Sequence, residues 1–470
     1  MDENTNSPPD PTADVCLEFD RGTLLCRRWP RAVELAGLPG MRWDPRVQSF
    51  RAPGRFHGPI VSALTDQGVA VVDVVRDPLA PPGLVRLPEL RSYQSAALDA
   101  WSLAGHRGVV ALPTGSGKTL VGIAAIARQR CPTLCLVPTR ILVEQWSDVI
   151  GGALGVEAGR FGDGVREVRP ITVATYESAY RHMHQLGNRF DLLIVDEVHH
   201  FGRGERDESL EMCVAPARLG LTATPPAPDG TNRLEQLVGP VVYALPIEDL
   251  TGTFLAEFDL VELRLDLTAE ERRVHDALRD CFTSAWRRFC ALVPSPEWSD
   301  FMRWAARTAP GREAIRAWHR CRSLLSLTRA KSETIGALLG AHCDSRSLVF
   351  TSTAEAAHRV AVDHLVMPIT ASIKKAERDA MLAAFRGGEV RALVSARVLN
   401  EGYDVPDADV GIVVGGSHGV REHTQRVGRL LRPRPGKRAL VYELVTRGTA
   451  ETAQAERRRH GLGPGRTWVL

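Results

Sequence analysis

The chain has 470 residues, of which 44% are apolar and 24% charged, and its net charge at pH 7 is +3. This length exceeds the roughly 250–300 residues that one hydrophobic core accommodates, so about three domains are expected. The composition excludes a fully disordered chain, the small net charge excludes a polycation, and the lack of any apolar run near ~20 residues excludes a membrane-spanning segment.

The first 14 residues are acidic and rich in proline, without the basic and apolar stretches of a secretory signal. We therefore expect a disordered tail at 1–14 and a cytoplasmic protein, associated with the nucleoid if the source is prokaryotic. The nine cysteines form no CxxC pair, and we interpret them as reduced thiols and not as metal ligands.

Residues 15–76 have the pattern of a small α+β domain. VCLEFD and TLLCRRW alternate like a β-hairpin, and PIVSALTDQGVAVVDVV predicts a helix followed by a strand. The proline-rich stretch at 77–90 is expected to be a stiff linker.

From residue 91, helical stretches alternate with short apolar strands. The first series of strand candidates is VVALP, TLCLVP, ITVAT, DLLIVDE and LGLTAT, and the second is SLVFTS, MPITA, RALVSA, VGIVVGG and ALVYELVT. Strands this apolar belong to parallel sheets covered on both faces. We predict an α/β protein with two parallel-sheet domains, at 91–267 and 341–470.

Between these domains, residues 268–340 have a helical period and no strand pattern, which predicts a helical insertion. Its aromatic and basic residues alternate, which suits stacking on unpaired bases. The alternative is that the tryptophans of amphipathic helices form a small core of their own. The residues concerned are Trp286, Arg287, Arg288, Trp304, Arg307, Trp318, His319 and Arg320.

The segment LPTGSGKT at 112–119 stands between a predicted strand and a predicted helix, as in nucleotide-binding P-loops. Glycines at 115 and 117 let backbone N–H groups turn toward a phosphate, and the helix N-terminus adds positive charge. Lys118 is expected to reach the β- and γ-phosphates, and Thr119 to coordinate Mg²⁺. The nucleotide-binding residues predicted here are Pro113, Thr114, Gly115, Ser116, Gly117, Lys118 and Thr119.

The segment IVDEVHH at 194–200 ends an apolar strand with two adjacent acids. In open α/β sheets, ligands bind at the carboxyl ends of strands. We expect Asp196 to hold Mg²⁺, usually through water, and Glu197 to polarise the attacking water. Together with the P-loop, this predicts binding and hydrolysis of MgATP.

The segment QRVGRLLRP at 425–433 places Gln425, Arg429 and Arg432 on one face of a helix. Arginines there suit stabilisation of charge on a transferring phosphoryl group, although a solvated basic face is the alternative. With such residues supplied by the second domain, ATP is expected in the cleft between the domains, and its hydrolysis is expected to change their angle.

With these three blocks in order, the chain resembles superfamily 2 helicases of the DExH type. The resemblance implies that Arg91 and Gln94 in LRSYQSAAL contact adenine. It also implies that Gly402 and Asp404 in VLNEGYDVP touch nucleotide and nucleic-acid strand. The residues implied to couple ATP state to DNA grip are His199, Thr222, Ala223 and Thr224.

The same resemblance implies a set of DNA-backbone contacts. One motif is VPTR followed by QW, another is ATYES, and a third lies in the second domain. The residues it assigns to DNA are Thr139 and Arg140, with Gln145 and Trp146 after them, then Thr175, Gly402 and the backbone near Thr351.

The match is closer than the superfamily. Residues 395–451 resemble the C-terminal helicase domain of the XPB family, particularly its short archaeal and bacterial members, and 15–76 resemble that family's damage-recognition domain. The helical insertion stands where the family has its thumb. The resemblance implies two RecA-like domains and a 3′→5′ ATP-dependent DNA helicase or translocase used in repair, acting on single-stranded, forked or damaged DNA, often with a nuclease partner.

One departure from the family concerns an Arg-Glu-Asp triplet, associated with unwinding, that follows the TAT motif. Here the triplet reads Ala227, Pro228 and Asp229, so only the aspartate is kept. We therefore expect a motor that translocates on or remodels duplex DNA better than it unwinds it. The alternatives are an ATP-switched DNA clamp and an RNA helicase.

Overall fold

The computed structural model describes residues 15–29, 34–83, 86–204, 206–225, 233–250, 254, 257–370, 372–396, 408–415, 438–459 and 466–469. The chain divides into two compact units, Met1–Leu245 and Pro246–Leu470. Across the described ranges, every helix is too short or too polar to cross a membrane.

The first unit begins with a five-stranded sheet in the order β3-β4-β2-β1-β5. The predicted hairpin is present as the antiparallel pair β1 and β2, and the last strand returns parallel to β1. Leu17, Leu24, Ile60 and Leu64 are fully buried in its core. Its elements are β1 (Val15–Asp20), β2 (Thr23–Arg28), β3 (Arg42–Asp44), β4 (Ser49–Pro53), α1 (His57–Asp66) and β5 (Val71–Val74).

An eight-stranded sheet follows, in the order β13-β6-β12-β11-β7-β10-β8-β9. Its strands pair in parallel except for β9, which turns back along β8. Its strands are β6 (Arg107–Ala111), β7 (Thr133–Val137), β8 (Gly159–Gly162), β9 (Val165–Arg166), β10 (Ile171–Thr175), β11 (Leu192–Asp196), β12 (Ala217–Thr222) and β13 (Val241–Ala244). Its helices are α2 (Ser92–Leu103), α3 (Lys118–Gln129), α4 (Arg140–Leu154), α5 (Tyr176–Leu186), α6 (Asp207–Glu211) and α7 (Leu234–Leu237).

Within the first unit, the five-stranded sheet packs closely on the segment after α6. A Cβ on Gly22 would lie 2.4 Å from Met212 Cγ, and a Cβ on Gly54 would lie 2.5 Å from the Met212 carbonyl oxygen. Arg55 pairs with Glu211 across the same boundary. Both glycines are therefore needed for backbone approach, and the small domain is seated on the α/β domain.

The second unit is built on a seven-stranded parallel sheet in the order β16-β17-β15-β18-β19-β14-β20. Its strands are β14 (Glu257–Leu265), β15 (Ser347–Phe350), β16 (Met367–Ile369), β17 (Ala392–Ser395), β18 (Val410–Val413), β19 (Arg438–Thr446) and β20 (Arg466–Val469). Its helices are α8 (Ile247–Leu250), α9 (Ala269–Cys290), α10 (Trp298–Arg307), α11 (Ala309–Ser326), α12 (Arg329–Ala341), α13 (Ala354–His364), α14 (Lys375–Gly387) and α15 (Ala450–Arg459).

The predicted fold class is confirmed, with two RecA-like parallel sheets, a small N-terminal α+β domain and a helical stretch. The boundary expected at 267 differs from the structure. Strand β14, which we placed in the first α/β domain, pairs with β19 along nine residues of the second sheet. It carries no motif, so motif order could not assign it.

The helical stretch also differs in its extent. Helices α9, α10 and α11 share a core around Phe289 and Phe301. Helix α12, in contrast, buries Ile335 in the core of the seven-stranded sheet. The expected insertion at 268–340 therefore comprises three helices with their own core and one that covers the sheet.

Candidate active site

The predicted site residues of the first unit lie along one edge of its eight-stranded sheet. Because β6, β12, β11, β7, β10 and β8 are parallel neighbours in that order, their carboxyl ends form a row, with adjacent strands about 4.8 Å apart. Along this row come the P-loop, then Thr222, Asp196, Thr139 and Thr175. Nucleotide residues therefore occupy one half of the edge and predicted DNA residues the other.

The P-loop joins β6 to α3. Gly115 and Gly117 have φ angles of +85° and +80°, in the left-handed region that favours glycine. The Lys118 ammonium donates to the carbonyl oxygens of Leu112 at 3.2 Å and Pro113 at 3.4 Å. These acceptors are neutral, so an anionic phosphate would form a stronger hydrogen bond with the same ammonium.

Residues at the start of α2 support the P-loop. The Tyr93 hydroxyl donates to the Ser116 carbonyl at 2.6 Å, and Gln94 Nε2 donates to the same oxygen at 2.8 Å. Gln94 Oε1 accepts from the Arg91 N–H at 2.9 Å. The Gln94 amide thus has protein partners at both ends, and its contact with adenine stays a prediction.

Asp196 is the last residue of β11, and Glu197 follows it. Asp196 Oδ2 accepts a 2.9 Å hydrogen bond from Trp146 Nε1, and Oδ1 accepts from the Glu197 N–H at 3.0 Å. The backbone of Glu197 has a φ of +49°, which is strained for a residue with a Cβ. The Tyr176 hydroxyl contacts the backbone carbonyl oxygens of Asp196 and Glu197 and so stabilises this turn.

The surroundings shift the pKa values of Asp196 and Glu197 in opposite directions. Burial and the adjacent Glu197 carboxylate raise the pKa of Asp196 to about 6, against the opposing influence of Trp146 and Lys118. Burial also acts to raise the pKa of Glu197, but the contact with His199 and the charge of Lys118 outweigh it, so that pKa is lowered. Glu197 is therefore fully ionised at neutral pH, and Asp196 is the member of the pair that takes up a proton first as the pH falls.

The coupling residues predicted from the sequence lie together. His199 Nδ1 is 3.0 Å from Thr222 Oγ1 and 3.3 Å from Glu197 Oε2. The Thr222 hydroxyl also lies 3.2 Å from the Thr224 carbonyl, and when it donates there it accepts the proton of His199 Nδ1. Glu197 Oε2 is buried without a well-aligned hydrogen bond, and we interpret its 3.3 Å contact with the imidazole as electrostatic.

The P-loop is tied to the same group. The Leu112 N–H donates to the Thr222 carbonyl at 2.9 Å, and the Thr224 N–H donates to the Thr222 hydroxyl at 3.1 Å. A displacement of Thr222 would therefore move the P-loop through Leu112, and it would move His199 and Glu197 through the imidazole.

Two predicted DNA residues of the first unit cap helices. Thr139 Oγ1 accepts from the Leu142 N–H at 3.4 Å at the start of α4, and Thr175 Oγ1 accepts from the Ser178 N–H at 3.2 Å at the start of α5. Helix N-termini favour anions such as phosphate. Arg140, the first residue of α4, is exposed and pairs with Asp163.

Two other residues of the predicted DNA motifs, Trp146 and Thr351, have buried side chains. Trp146, placed with the first DNA motif, is buried, and its indole N–H is directed to Asp196. Thr351 is fully buried, and its hydroxyl donates to the Thr353 carbonyl at 3.0 Å. A side chain engaged in this way is not available to a phosphate, so the Trp146 side chain is not a DNA contact in this arrangement. The contact expected from the backbone near Thr351 stays a prediction.

The tryptophans of the helical stretch pack mainly against one another. The ring centroids of Trp286 and Phe301 are 5.0 Å apart, and those of Trp304 and Phe301 are 5.7 Å apart. Trp298 lies 5.4 Å from Trp318 and remains 44% exposed. The interpretation as a small core accounts for Trp286 and Trp304, and Trp298 alone presents a substantial exposed face.

Several predicted residues lie outside the described ranges. They are Gly402, Asp404, Gln425, Arg429 and Arg432 of the second unit, together with Ala227, Pro228 and Asp229 after the TAT motif.

The described P-loop residues fit a nucleotide phosphate. Thr114 Oγ1 is buried in the loop without a hydrogen-bond partner, a costly state unless a ligand satisfies it. A Cβ on Gly117 would lie 2.6 Å from Gln94 Nε2, so a larger residue there would displace the Gln94 side chain that supports the loop.

Comparison with known proteins agrees with this geometry. The profile of the xeroderma pigmentosum group B helicase damage recognition domain matches residues 17–75. The profile described as type III restriction enzyme, res subunit, matches 87–227, and that of the helicase conserved C-terminal domain matches 330–434.

Among curated relatives, the DNA 3′-5′ translocase XPB2 of Sulfurisphaera tokodaii is 36% identical over 450 residues, which is 95% of this chain and 100% of that relative. The chain belongs to the XPB family of helicases and translocases. The DNA 3′-5′ helicase XPB of Mycobacterium tuberculosis is 31% identical over 389 residues, which cover 80% of this chain and 64% of that protein. Membership in the XPB family makes the chain an ATP-hydrolysing enzyme.

Solved structures show the same fold at low identity. The Hef helicase domain of Pyrococcus furiosus has a TM-score of 0.53 at 18% identity, covering 79% of this chain and 98% of that one. The S. cerevisiae protein Dbp5, bound to RNA and ADP BeF3, has a TM-score of 0.55 at 15% identity, covering 81% of this chain and 89% of that one.

Sequence reasoning missed residues that complete this XPB-family site. It did not assign Tyr176 a role, and it placed Trp146 with DNA and not with Asp196. It also passed over the β8–β9 hairpin, although the Asp-Gly pair at 163–164 is the strongest short signal for a two-residue hairpin turn.

Proposed function

We propose that the chain is a DNA-stimulated MgATPase that works as a 3′→5′ DNA helicase or translocase in DNA repair. The observation that carries this is the position of His199. One imidazole joins the carboxylate of Glu197 to Thr222, and Thr222 is bonded in turn to the end of the P-loop strand. Such a connection suits a motor, in which hydrolysis must depend on the state of the nucleic-acid side.

The chain's own groups divide the chemical work. Lys118 and the glycine-containing loop bind and orient the phosphates, while Glu197, ionised and strained toward the site, accepts a proton from the attacking water. His199 holds the Glu197 carboxylate in place. Arg429 and Arg432, together with Gln425, complete the proposed set as the residues that stabilise charge on the phosphoryl group.

We include Mg²⁺ as the cofactor of ATP. The described residues contain no group of three or more metal-ligating side chains, so an ion would depend on Asp196, Thr119, the nucleotide and water. Mg²⁺ bound there neutralises charge on the phosphates. The hydrogen bond from Trp146 would orient the Asp196 carboxylate that would hold such an ion.

For DNA, we propose that the helix N-termini at Thr139 and Thr175 hold the backbone of one strand. The two caps lie on neighbouring parallel strands, so a phosphate at each would follow a single path along the sheet edge. The 3′→5′ polarity is that of the XPB relatives named above, and the repair role and the nuclease partner follow from the family resemblance.

A second candidate is a motor that translocates without efficient unwinding. It rests on Ala227 and Pro228, which stand where the family has the Arg and Glu of its triplet. Displacement of the strand from a 3′-tailed duplex by the purified protein at a rate matching its translocation would exclude this candidate.

Steady-state ATPase with single-stranded DNA, duplex DNA and RNA tests the proposal. We expect both DNAs to stimulate turnover and RNA to stimulate it less. Stronger stimulation by RNA would favour an RNA helicase, and tight DNA binding without stimulated turnover would favour an ATP-switched clamp.

A further inference from the structure

The β8–β9 hairpin continues the row of predicted DNA contacts at the sheet edge. β8 pairs in parallel with β10, so its carboxyl end lies beside Thr175. A Cβ on Gly162 would lie 3.3 Å from Thr175 Cγ2 and 3.2 Å from Ser178 Oγ, which places the hairpin turn against the N-terminus of α5. The next position after Thr139 and Thr175 in the row is therefore the turn itself.

The turn has a fixed shape. Phe161 pairs with Arg166 and Gly162 with Val165, which leaves Asp163 and Gly164 as the two turn residues. Their φ angles are +55° and +83°, the combination of a type I′ hairpin turn. The position of the Asp163 carboxylate is therefore set by the backbone.

Asp163 pairs with Arg140, the predicted DNA residue at the start of α4. Arg140 brings its positive charge to a helix N-terminus that is itself positive, so the position favours an anion. The two side chains are 68% and 59% exposed, and solvent screening makes such a pair weak enough for a phosphate to displace the carboxylate.

Positive charge also gathers on the other arm of the hairpin. Burial lowers the pKa of His182. The nearby charges of Arg166 and His184 lower this pKa further, which places Arg166 close to His182. Phe161, the cross-strand partner of Arg166, packs edge-on against His182 with centroids 5.4 Å apart. Among the described carboxylates none pairs with Arg166, whereas the neighbouring Arg181 is held by Glu177 at 2.7 Å and Arg160 by Asp148 at 3.5 Å.

We infer that the β8–β9 hairpin is part of the DNA track, with Arg166 as a phosphate contact and Asp163 as a carboxylate that competes with DNA for Arg140. This inference rests on the proposed function and extends its DNA site by one strand. It predicts effects of opposite sign from two residues three positions apart. A general change of net charge gives the same signs but does not depend on position, so the same charge changes elsewhere in the first unit are the control.

Two substitutions test it in the full chain. Asp163→Asn keeps the turn, because Asn-Gly also favours type I′ geometry, and should tighten binding of single-stranded DNA about two- to fivefold. Arg166→Ala should weaken binding about three- to tenfold and reduce the slope of log affinity against log salt by about 0.7. The measurement is fluorescence anisotropy with a labelled oligonucleotide at several salt concentrations.

The pair Arg128–Asp99 supplies matched controls. It is also an exposed Arg–Asp pair of the first unit, but Arg128 lies at the far end of α3, which begins at the sheet edge that carries the site. Asp99→Asn and Arg128→Ala make the same charge changes and should leave affinity within about twofold, since they touch no proposed phosphate position.

The outcomes distinguish failure of the hairpin inference from failure of the proposed motor function. If the unmodified protein binds DNA but the hairpin variants match their controls, or if Asp163→Asn weakens binding, the hairpin inference is overturned and the motor proposal stands. If the unmodified protein does not bind DNA, or if the hairpin effects occur only with RNA, both are overturned.

Discussion

The indole N–H of Trp146 donates a 2.9 Å hydrogen bond to the carboxylate of Asp196. Trp146 belongs to α4, the helix that begins at Arg140 beside the predicted DNA contact Thr139. A single helix therefore has the nucleic-acid side of the site at its first turn and the proposed metal side at its second. The indole ring of Trp146 is closely packed, since a Cβ on Gly122 of α3 would lie 2.8 Å from Trp146 Cη2.

Trp146→Phe should raise the Mg²⁺ concentration needed for half-maximal ATPase activity about tenfold, the lower end of the usual effect of losing a hydrogen bond to a metal-ligating group. The physical reason is that the indole N–H opposes the raised pKa of Asp196, so its loss favours the protonated carboxyl group. A Mg²⁺ titration of the ATPase rate at fixed ATP and DNA measures this.

Trp101→Phe is the matched control for that experiment. Trp101 is equally buried and donates a 2.9 Å hydrogen bond to the Arg218 carbonyl, away from Asp196. The Trp101→Phe substitution should lower the melting temperature without changing the Mg²⁺ concentration needed for half-maximal ATPase activity. The same Mg²⁺ shift in both variants would contradict the role of Trp146.

Thr222→Val should reduce the ratio of DNA-stimulated to unstimulated ATPase turnover about tenfold, a loss of coupling of the usual size. The substitution removes the hydroxyl that meets His199 Nδ1 at 3.0 Å while keeping the shape of the side chain. Thr172→Val removes another buried hydroxyl of the same sheet, which donates to the Arg169 carbonyl at 2.7 Å. An equal loss of stimulation in both variants would count against specific coupling through Thr222.

Much of this arrangement could be predicted from the sequence, because its motifs are contiguous. The P-loop, the acids after β11 and the Thr222–Thr224 segment each end an apolar strand, and parallel strands bring their carboxyl ends to one edge. The approach of Trp146 to Asp196 could not be predicted, since it joins residues 50 positions apart. Strand β14 was missed for a related reason, because its partner β19 lies far along the chain.

Gln94→Ala separates two roles for one side chain. If Gln94 mainly supports the P-loop through Ser116, the KM values for ATP and GTP should rise by the same factor, about five- to twentyfold, as expected for loss of a buried hydrogen bond. If the implied contact with adenine dominates, the KM for ATP alone should rise. Steady-state kinetics with both nucleotides distinguishes the two.

Gly54→Ala tests the seating of the N-terminal domain. Its new Cβ would meet the Met212 carbonyl oxygen at 2.5 Å, so we expect a loss of about 1–3 kcal/mol in the free energy of unfolding. Gly58→Ala, in α1, meets nothing within 4 Å and should stabilise the protein by up to about 1 kcal/mol. Denaturant unfolding of both variants gives the comparison, and equal stability would contradict the close packing.

The most direct test of the central claim is the ATP hydrolysis rate of Glu197→Gln in the presence of single-stranded DNA, with ATP binding measured on the same sample. Glutamine keeps the size of the side chain but cannot accept the proton of the attacking water. We predict that DNA-stimulated hydrolysis falls at least about a thousandfold while ATP still binds. Hydrolysis at the rate of the unmodified protein would contradict the assignment of this site as the motor's catalytic centre.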